Sequence, residues 1–422
     1  MKKILFLFVF ALPTLLFSQK KISLPLTYID SYGIFSPSFA LLSPRDTAKT
    51  NALVIKGIPK NWKNIKKRII ITDSKQHLYQ QFLAKEIDEE TYKTYMGKAD
   101  KRKYVSKATK CFISLVVGEL DGQQMIVIDA NNNLDVSDDI PSILPNAKSD
   151  LSSNVKDETR QVTTKVSYDK IVDGKAVFSS TYLVLFDDKM GIFYNFKQSA
   201  TTEVTVNNKK IKLSVNINFT DMWSVGYTSI ALDTLKSGKI KYEWAVDEQG
   251  YIVIENTVFK YLGIDDTKNA LKLEQIKKKQ DEIIAPQVGF KLPNFSETEF
   301  ISGKKINLED FKGKYVYVDF WATWCGPCVK EIPHLKAIYE KLDLSKIAFV
   351  GIAEDEKPAL EKLLNKENLK WAQILTTDGK LTEKFSIKGY PTTFLIDPNG
   401  KVIAKNLRAE ELEKKLKEFL KK

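Results

Sequence analysis

The 422-residue chain has little cysteine, little histidine and few long apolar runs. Its three cysteines are Cys111, Cys325 and Cys328, so at most one internal disulfide can form and a disulfide-stapled scaffold is excluded. With only two histidines, the usual ligands of a structural zinc site are scarce as well. The few cysteines are therefore better explained as reactive groups than as structural disulfides.

The one long apolar run, residues 4–17, lies in the amino-terminal segment MKKILFLFVFALPTLLFSQ. It is interrupted by Pro13 and falls short of the roughly 20 residues that a membrane-spanning helix needs. Two lysines precede it and the small residue Ser18 follows it, which is typical of a secretory signal peptide at 1–19. No cysteine follows the run for lipid attachment, so we expect a soluble protein of the periplasm or cell envelope.

The chain also lacks a basic block. Lys and Arg exceed Asp and Glu by 65 to 53, a net charge of +12, but the basic residues are interspersed with acidic ones. Without a basic cluster that contains stacking aromatics, nucleic acid is not an expected partner. The 43% hydrophobic and 28% charged composition is typical of globular proteins, and the length predicts two or three domains.

Short β-branched and aromatic runs dominate the first 260 residues, which predicts a mainly-β region of sandwich- or barrel-like architecture. The predicted strands are 112–117, 125–129, 176–186, 192–196 and 251–254. A hairpin is predicted where 204–206 meets 211–219 across Asn207 and Asn208. One helix is predicted at 78–95.

The pattern changes near Pro286, where strands begin to alternate with helical segments as in an α/β unit. Before it, the charged stretch NALKLEQIKKKQDEIIA is either a last strand followed by a linker or a short helix. We therefore divide the chain into a signal peptide at 1–19, a β-rich domain at 20–263, a linker at 264–285 and an α/β domain at 286–422.

The predicted strand 315–320 leads into WATWCGPC, and apolar residues then recur at helical spacing. Both cysteines therefore lie in the first turn of a helix, where free N–H groups stabilise a thiolate. We expect Cys325 to be the more exposed, nucleophilic thiol and Cys328, one turn inward, to resolve the mixed disulfide. A zinc site is the alternative, but His334 and the distant His77 are a poor supply of further ligands.

The motifs VDFWATWCGPC, APQVGFKLPNF and IKGYPTTFLIDPNGKV together resemble the extracytoplasmic TlpA/ResA-type thiol–disulfide oxidoreductases. The resemblance covers residues 286–422 and implies a thioredoxin fold for them. It also implies protein disulfides as substrates, an upstream thiol electron donor and no bound cofactor. Surplus residues around 355–373 predict the additional helix and strand of this family, usually linked to partner choice.

The resemblance assigns roles to residues around the cysteines. Trp324, Gly326 and Pro327 would shape the exposed turn, while Tyr390 and Pro391 match a loop whose proline is cis and faces the cysteine pair. The Gly-Pro pair between the cysteines leaves the thiolate without an added cation. We therefore predict a reductase rather than an oxidase.

Asp319 matches the buried acid that handles the proton of the resolving cysteine in thioredoxins. The apolar run around it predicts a buried strand and a raised pKa, against the alternative of a solvent-facing strand end. The lysine that thioredoxins have near this acid is missing from the next strand, 347–353, so the proton-handling details differ.

Two other functions fit parts of the sequence. A thiol peroxidase on the same fold wants Pro and Thr seven and three residues before the reactive cysteine, where this chain has Val318 and Ala322. A β-rich binding module with an accessory thioredoxin-like domain is the other alternative.

Two weaker signals lie in the β-rich region. Asp129, Asn131, Asn133 and Asp135 alternate as calcium ligands do, but Leu134 and Ile140 replace the turn glycine and the last glutamate of an EF-hand loop. We interpret the segment as a polar loop, with calcium as a weaker alternative. Cys111 is predicted to be a buried strand cysteine.

Overall fold

The computed structural model describes residues 20–37, 39–42, 53–96, 103–145, 158–189, 191–217, 228–234, 238–240, 244–265 and 268–420. The predicted signal peptide at 1–19 lies outside these residues. Within this part of the chain, no helix combines the length and apolarity needed to cross a membrane.

The described residues up to 276 are mainly in strands, and each strand predicted among them overlaps an observed one. In chain order the strands are β1 (Lys21–Pro25), β2 (Thr27–Ile29), β3 (Ala40–Leu41), β4 (Lys63–Ile71), β5 (Phe112–Leu120), β6 (Gln123–Ile128), β7 (Ser142–Ile143), β8 (Val162–Val172), β9 (Lys175–Asp188), β10 (Gly191–Phe196), β11 (Ser199–Val206), β12 (Lys209–Asn216), β13 (Ser229–Leu232), β14 (Val246–Asp247), β15 (Tyr251–Ile254), β16 (Thr257–Asp265) and β17 (Ala270–Ile276). Two helices, α1 (Ser74–Leu83) and α2 (Glu89–Met96), separate β4 from β5.

These strands form four sheets that enclose two apolar cores. The first core lies between the sheet β1-β17-β16-β15 and the sheet β14-β13-β12-β11-β2, with Leu213 and Ile230 packed near Tyr261 and Leu273. All four of these side chains are fully buried. Alternate residues of each strand point into the core, as the period of two requires.

The second core lies between the sheet β3-β10-β9-β8 and the sheet β4-β5-β6-β7, and it includes Ile113, Leu115, Leu183 and Leu185. Its strands, β3 to β10, are inserted between β2 and β11 of the first pair of sheets. The first part of the chain therefore contains one sheet pair interrupted by another.

The prediction of one helix at 78–95 is wrong, because the structure has two helices there. Asp73 caps α1 by accepting a hydrogen bond from the Gln76 N–H at 3.0 Å. Lys85 then adopts a left-handed φ of +56°, which ends the helical hydrogen-bond pattern. Asp88 begins α2 by accepting from the Thr91 N–H at 2.7 Å.

The predicted hairpin at Asn207 and Asn208 is confirmed, since β11 pairs with β12 and both asparagines have positive φ, as a tight hairpin turn requires. The stretch predicted as a linker, 264–285, contains β17, which pairs with β1 and β16. Of the two alternatives for the charged stretch NALKLEQIKKKQDEIIA, the one that begins with a last strand is therefore correct. Leu271 and Leu273 of this strand are fully buried, which explains why the charged stretch joins the sheet.

The last 135 or so residues alternate strands and helices around one five-stranded sheet of order β22-β21-β20-β23-β24. The elements are β18 (Ser296–Thr298), β19 (Lys305–Asn307), β20 (Tyr315–Trp321), α3 (Gly326–Tyr339), β21 (Ile347–Glu354), α4 (Lys357–Glu367), β22 (Ala372–Thr376), α5 (Lys380–Lys384), β23 (Thr392–Ile396), β24 (Val402–Lys405) and α6 (Ala409–Leu420). β20, β21 and β22 are parallel, whereas β23 runs antiparallel to β20 and β24. The predicted additional helix and strand are α4 and β22.

β20 is the central strand and has apolar side chains on both faces. Val318 and Phe320 point to one core, while Tyr317 and Trp321 point to the other, which includes residues of α3, α4 and α6. Such a fully covered strand is typical of parallel sheets. The cysteine pair follows directly at the carboxyl end of this strand.

The two parts of the chain make contact at β15 and the segment before β18. The Gln287 side chain accepts from the Tyr251 N–H at 2.9 Å and donates to the Tyr251 carbonyl at 2.5 Å. The Tyr251 and Phe290 rings lie 5.6 Å apart. Asp247 also forms an ion pair with Lys388 at 3.0 Å, close in sequence to the loop that contains Tyr390 and Pro391.

Candidate active site

Cys325 and Cys328 form a disulfide at the start of α3, with Cα atoms 5.3 Å apart. Cys325 is the N-cap residue, and its sulfur accepts a hydrogen bond from the Cys328 N–H at 3.3 Å. Such an N–H and the helix terminus are the groups that stabilise a thiolate. The structure places both cysteines at the start of the helix that follows β20.

The expectation that Cys325 is the more exposed cysteine is not met in this oxidised form. The two residues are 5% and 4% exposed, because both pack into the core beside Trp321 and Ile332. What distinguishes them is position, since only Cys325 precedes the helix. Trp324 beside it is 68% exposed.

Asp319 lies on β20 between Tyr317 and Trp321, on the face that points to α3 and α6. Its Oδ1 is shielded from water and has no hydrogen-bond partner among the described residues. Burial raises the pKa of this carboxyl to about 7, and the positive charge of Arg408 opposes the rise while Glu331 adds to it. The residue as a whole is partly buried, and its Oδ1 is the atom that is shielded from water.

The loop before β23 contains the cis peptide bond between Tyr390 and Pro391 that the resemblance implies. The Tyr390 ring lies edge-to-face against Trp324, with centroids 5.5 Å apart, and packs on the core that includes both cysteines. Trp324 and Tyr390 thus form one aromatic surface beside the disulfide. Gly326 leaves open space next to it, since a Cβ there would meet no atom within 4 Å.

Two acidic residues at the end of β21 were missed by the sequence analysis. The Tyr390 hydroxyl donates a hydrogen bond to Glu354. Burial is the main cause that raises the pKa of Tyr390, and this hydrogen bond raises it further. Asp355 accepts from the Thr323 N–H at 2.6 Å and so holds the turn before the cysteines. A signal was available, because the run Glu-Asp-Glu follows a buried parallel strand, and functional groups gather at that edge of a sheet.

Arg408 was also missed, and no local pattern marks it. It lies just before α6, where its guanidinium donates to the carbonyl of Pro391 and lies 3.7 Å from Glu331. It is the cation near Asp319 in a site where the neighbouring strand, β21, has no lysine. Only the tertiary structure brings it there from a position 89 residues along the chain.

The weak calcium candidate folds as a polar loop. Asp129 is buried and accepts hydrogen bonds from the Ser114 hydroxyl and from the N–H groups of Asn133 and Leu134. The Asn131 amide donates to Asp138, and Asp135 caps a short 3-10 turn. Among the described residues, no group of three or more acidic, histidine or cysteine side chains is arranged to hold a metal ion.

Cys111 is fully buried, as predicted, but it lies just before β5 and not within the strand. Burial raises its pKa to about 12. Its sulfur lies 3.9 Å from the His77 ring and 3.7 Å from the Gln80 side chain.

The fold and this cysteine pair define a thioredoxin-fold protein with a C-x-x-C site at a helix start. Residues 288–405 match the family model described as AhpC/TSA family. The thiol-disulfide oxidoreductase ResA of Bacillus thuringiensis subspecies konkukian is 36% identical over 137 residues, which are 32% of this chain and 78% of that protein. ResA of Bacillus subtilis is 36% identical over 116 residues, 27% of this chain and 64% of that protein.

A solved structure, the thioredoxin domain of a thiol-disulfide oxidoreductase from Bacteroides vulgatus, is 32% identical and covers 31% of this chain and 96% of that chain, with a TM-score of 0.30. The ResA matches cover only the carboxy-terminal third of this chain. Through that third, the chain belongs to the ResA family of thiol-disulfide oxidoreductases and is an enzyme of thiol–disulfide exchange.

Proposed function

We propose that the chain is an exported reductase of protein disulfides, in which Cys325 is the nucleophile and Cys328 the resolving thiol. The observation that supports this most directly is the pairing of the two cysteines at the N-terminus of α3, with the Cys325 sulfur on the Cys328 N–H. That arrangement favours a thiolate on the residue that caps the helix.

In the reductive half-reaction, the Cys325 thiolate attacks one sulfur of the substrate disulfide. The substrate S–S bond breaks, a Cys325–substrate disulfide forms, and the other substrate sulfur leaves as a thiolate and takes up a proton. Cys328 then loses its proton and attacks the Cys325 sulfur, which releases the second substrate thiol. Two electrons pass to the substrate, and an upstream dithiol donor returns the Cys325–Cys328 disulfide to the reduced state.

Asp319 is the proposed acceptor of the Cys328 proton. Its carboxyl faces the layer that contains α3, and burial raises its pKa to about 7, a value suited to gaining and losing a proton near neutral pH. The Asp319 Oδ1 is shielded from water and has no hydrogen-bond partner among the described residues, so it is available to accept a proton.

The proposed substrate surface consists of Trp324, Gly326, Pro327, Tyr390 and Pro391. Trp324 offers an exposed ring beside the pair, Gly326 leaves room for an approaching chain, and the loop at Pro391 has backbone groups for an extended segment. An extended polypeptide that contains a disulfide matches this surface better than a small molecule in an enclosed pocket would.

The direction is inferred from the two residues between the cysteines. Gly326 and Pro327 contribute no charge that would stabilise the reduced thiolate, so the disulfide is comparatively stable and the reduced pair is a good electron donor. Export rests on the signal-peptide pattern at 1–19. The sheets before residue 277 are proposed to recruit the partner or substrate.

Equilibration of the purified protein with glutathione buffers tests the direction. We expect the Cys325–Cys328 disulfide to persist at glutathione ratios that fully reduce a strong oxidant, with a potential close to that of thioredoxin, about −270 mV. A potential near about −120 mV would instead indicate an oxidase. The fraction of reduced protein is measured by mass-tagging of free thiols in a Cys111→Ser variant, in which Cys325 and Cys328 are the remaining cysteines.

A thiol peroxidase is the second candidate, because the AhpC/TSA family description covers residues 288–405. Against it, Val318 and Ala322 occupy the positions where such sites want Pro and Thr. Peroxide consumption with a dithiol donor, compared with reduction of insulin by the same donor, separates the two functions. The binding-module alternative gains if deletion of residues 20–285 leaves full activity on physiological substrates, because the β-rich module is then dispensable for catalysis.

A further inference from the structure

The start of α6 brings one guanidinium into contact with two parts of the active site. Arg408 donates to the carbonyl of Pro391, the proline of the loop beside the cysteine pair. The same side chain lies 3.7 Å from the Glu331 carboxylate, one turn after Cys328 on α3. Glu331 in turn accepts from the Ala409 N–H at 2.7 Å, which fixes the position of Arg408 along the chain.

This contact is partly shielded from water. The Arg408 side chain is 28% exposed and that of Glu331 is 12% exposed, so the charges interact more strongly than an exposed pair would. Ion pairs such as Lys417–Glu413 on the same α6 have side chains 65% and 35% exposed and lie on the outer surface.

Asp319 pairs in register with Thr393 of β23, and the Thr393 hydroxyl donates at 3.1 Å to the carbonyl of Leu407, the residue before Arg408. The Asp319 Oδ1 has no hydrogen-bond partner among the described residues, so an ionised carboxylate depends on nearby positive charge. The charged and titratable groups that face it are Arg408 from the start of α6, Glu331 and the cysteine pair from α3, and Tyr317 from its own strand. The strand on either side, β21 and β23, places Gly351 and Thr393 opposite Asp319, neither of which titrates.

We propose that Arg408 is a positioning residue that couples the Pro391 loop to proton transfer at Asp319. The positive charge of Arg408 favours the ionised form of Asp319, which accepts the Cys328 proton. The hydrogen bond from Arg408 to the Pro391 carbonyl holds in place the loop against which the substrate lies. Because one guanidinium does both, displacement of the loop changes the charge that Asp319 experiences. This inference rests on the proposed function, in which Asp319 takes that proton.

The test uses Arg408→Gln and Arg408→Lys in the full chain, with Lys417→Gln as a matched loss of charge on the outer face of α6. Reduction of a reporter disulfide under single-turnover conditions is followed from pH 5 to pH 9. In Arg408→Gln, loss of the positive charge raises the pKa of Asp319. We therefore expect the acidic limb of the pH–rate profile, where the rate rises as Asp319 ionises, to move to higher pH by about half a unit to one unit. The rate at pH 6 then falls by about threefold to tenfold and recovers by pH 9.

Arg408→Lys keeps the charge, so its acidic limb is expected to stay at the wild-type pH, as is that of Lys417→Gln. An Asp319→Asn background should lack this limb, so adding Arg408→Gln there is expected to leave the pH profile unchanged. A limb in Arg408→Gln that coincides with the wild-type limb would overturn the inference. So would an equal loss of rate at every pH in both Arg408 variants, since that describes a purely structural role.

Should Arg408→Gln fail to fold, as judged by circular dichroism, Glu331→Gln provides an independent variant. Removing this negative charge lowers the pKa of Asp319, so the limb is expected to move down, and an unmoved limb would count against the inference. A wild-type protein that reduces no disulfide at any pH refutes the proposed function itself. An active wild type with unshifted variants refutes only the role of Arg408.

Discussion

Cysteine occurs in both parts of the molecule, in surroundings that act on a thiol in opposite ways. Cys111 lies before β5 in the sheet-rich part, fully buried, and burial together with Asp73 and Asp169 raises its pKa to about 12. Cys325 is also buried in the disulfide form, but it caps a helix and its sulfur accepts a hydrogen bond from the Cys328 N–H. Burial alone therefore does not distinguish an inert thiol from a reactive one, whereas the helix start does.

Buried carboxylates give the same comparison. Asp129 in the sheet-rich part accepts hydrogen bonds from Ser114, Asn133 and Leu134, which hold a loop in place. Asp319 in the thioredoxin-like part has an Oδ1 with no such donor among the described residues. A satisfied buried acid stabilises a turn, whereas an unsatisfied one is poised to bind a proton.

The largest expected effect separates the cysteines. Cys325→Ser should abolish reduction of a reporter disulfide, because the attacking sulfur is lost. Cys111→Ser should leave the rate within about twofold of wild type, because a thiol with a pKa of about 12 is protonated at neutral pH. Initial rates with a dithiol donor measure both. Equal loss of activity in the two variants would break the comparison.

The next effect concerns the resolving step. Cys328→Ser should retain attack by Cys325 but accumulate mixed disulfides with substrate proteins, which non-reducing gels and mass spectrometry detect. The double variant with Cys325→Ser is the control and should trap nothing. Trapped proteins attached to Cys111 instead would contradict the assignment.

Asp319→Asn should slow multiple-turnover reduction by about tenfold to a hundredfold, because the Cys328 proton loses its acceptor. The wild-type rate should rise with pH through about 7, the pKa to which burial raises Asp319, whereas the variant should lack this limb. Asp129→Asn, the matched change in the other part of the chain, should keep the wild-type pH profile.

The same two variants should change stability in opposite directions. The pKa of Asp319 is raised in the folded protein from 3.8 to about 7, so its favourable contribution is present below about pH 4 and is lost as the pH rises to about 7. Asp319→Asn should therefore increase the free energy of unfolding little at pH 4 and by up to about 4 kcal/mol at pH 8.

Asp129→Asn should instead lower the free energy of unfolding by about 1–3 kcal/mol, because an amide NH₂ replaces an oxygen that accepts from buried donors. Urea denaturation at pH 4 and pH 8 measures both variants. A stabilised Asp129→Asn, or a destabilised Asp319→Asn at pH 8, would show that the two carboxylates do not differ as described.

The smallest effect concerns the contact between the two parts. Lys388→Gln removes the partly exposed ion pair with Asp247 and should cost less than about 1 kcal/mol, falling further at high salt. Gln287→Ala, which removes two hydrogen bonds to Tyr251, should cost more, about 1–2 kcal/mol. Thermal unfolding at low and high salt distinguishes them.

Much of the thioredoxin-like part was predictable, because its signals are local. The run from Tyr315 to Trp321 is apolar and β-branched, the helix that follows has a regular apolar spacing, and the cysteines lie between them. The same local reasoning failed at 78–95, where a left-handed Lys85 and the cap at Asp88 divide a helical pattern into two helices. Backbone conformation at a single residue is not visible in a hydrophobic period.

Local patterns were enough to predict where Cys325 and Cys328 lie, which strand contains Asp319 and the strand-rich character of the first part, because spacing and hydrophobic period depend on near neighbours in the chain. The interrupted pair of sheets, the Glu354–Tyr390 contact and the approach of Arg408 to Pro391 and Glu331 were decided only by tertiary structure. These join residues tens of positions apart, and the packing of whole sheets and helices, rather than any local pattern, brings their side chains together.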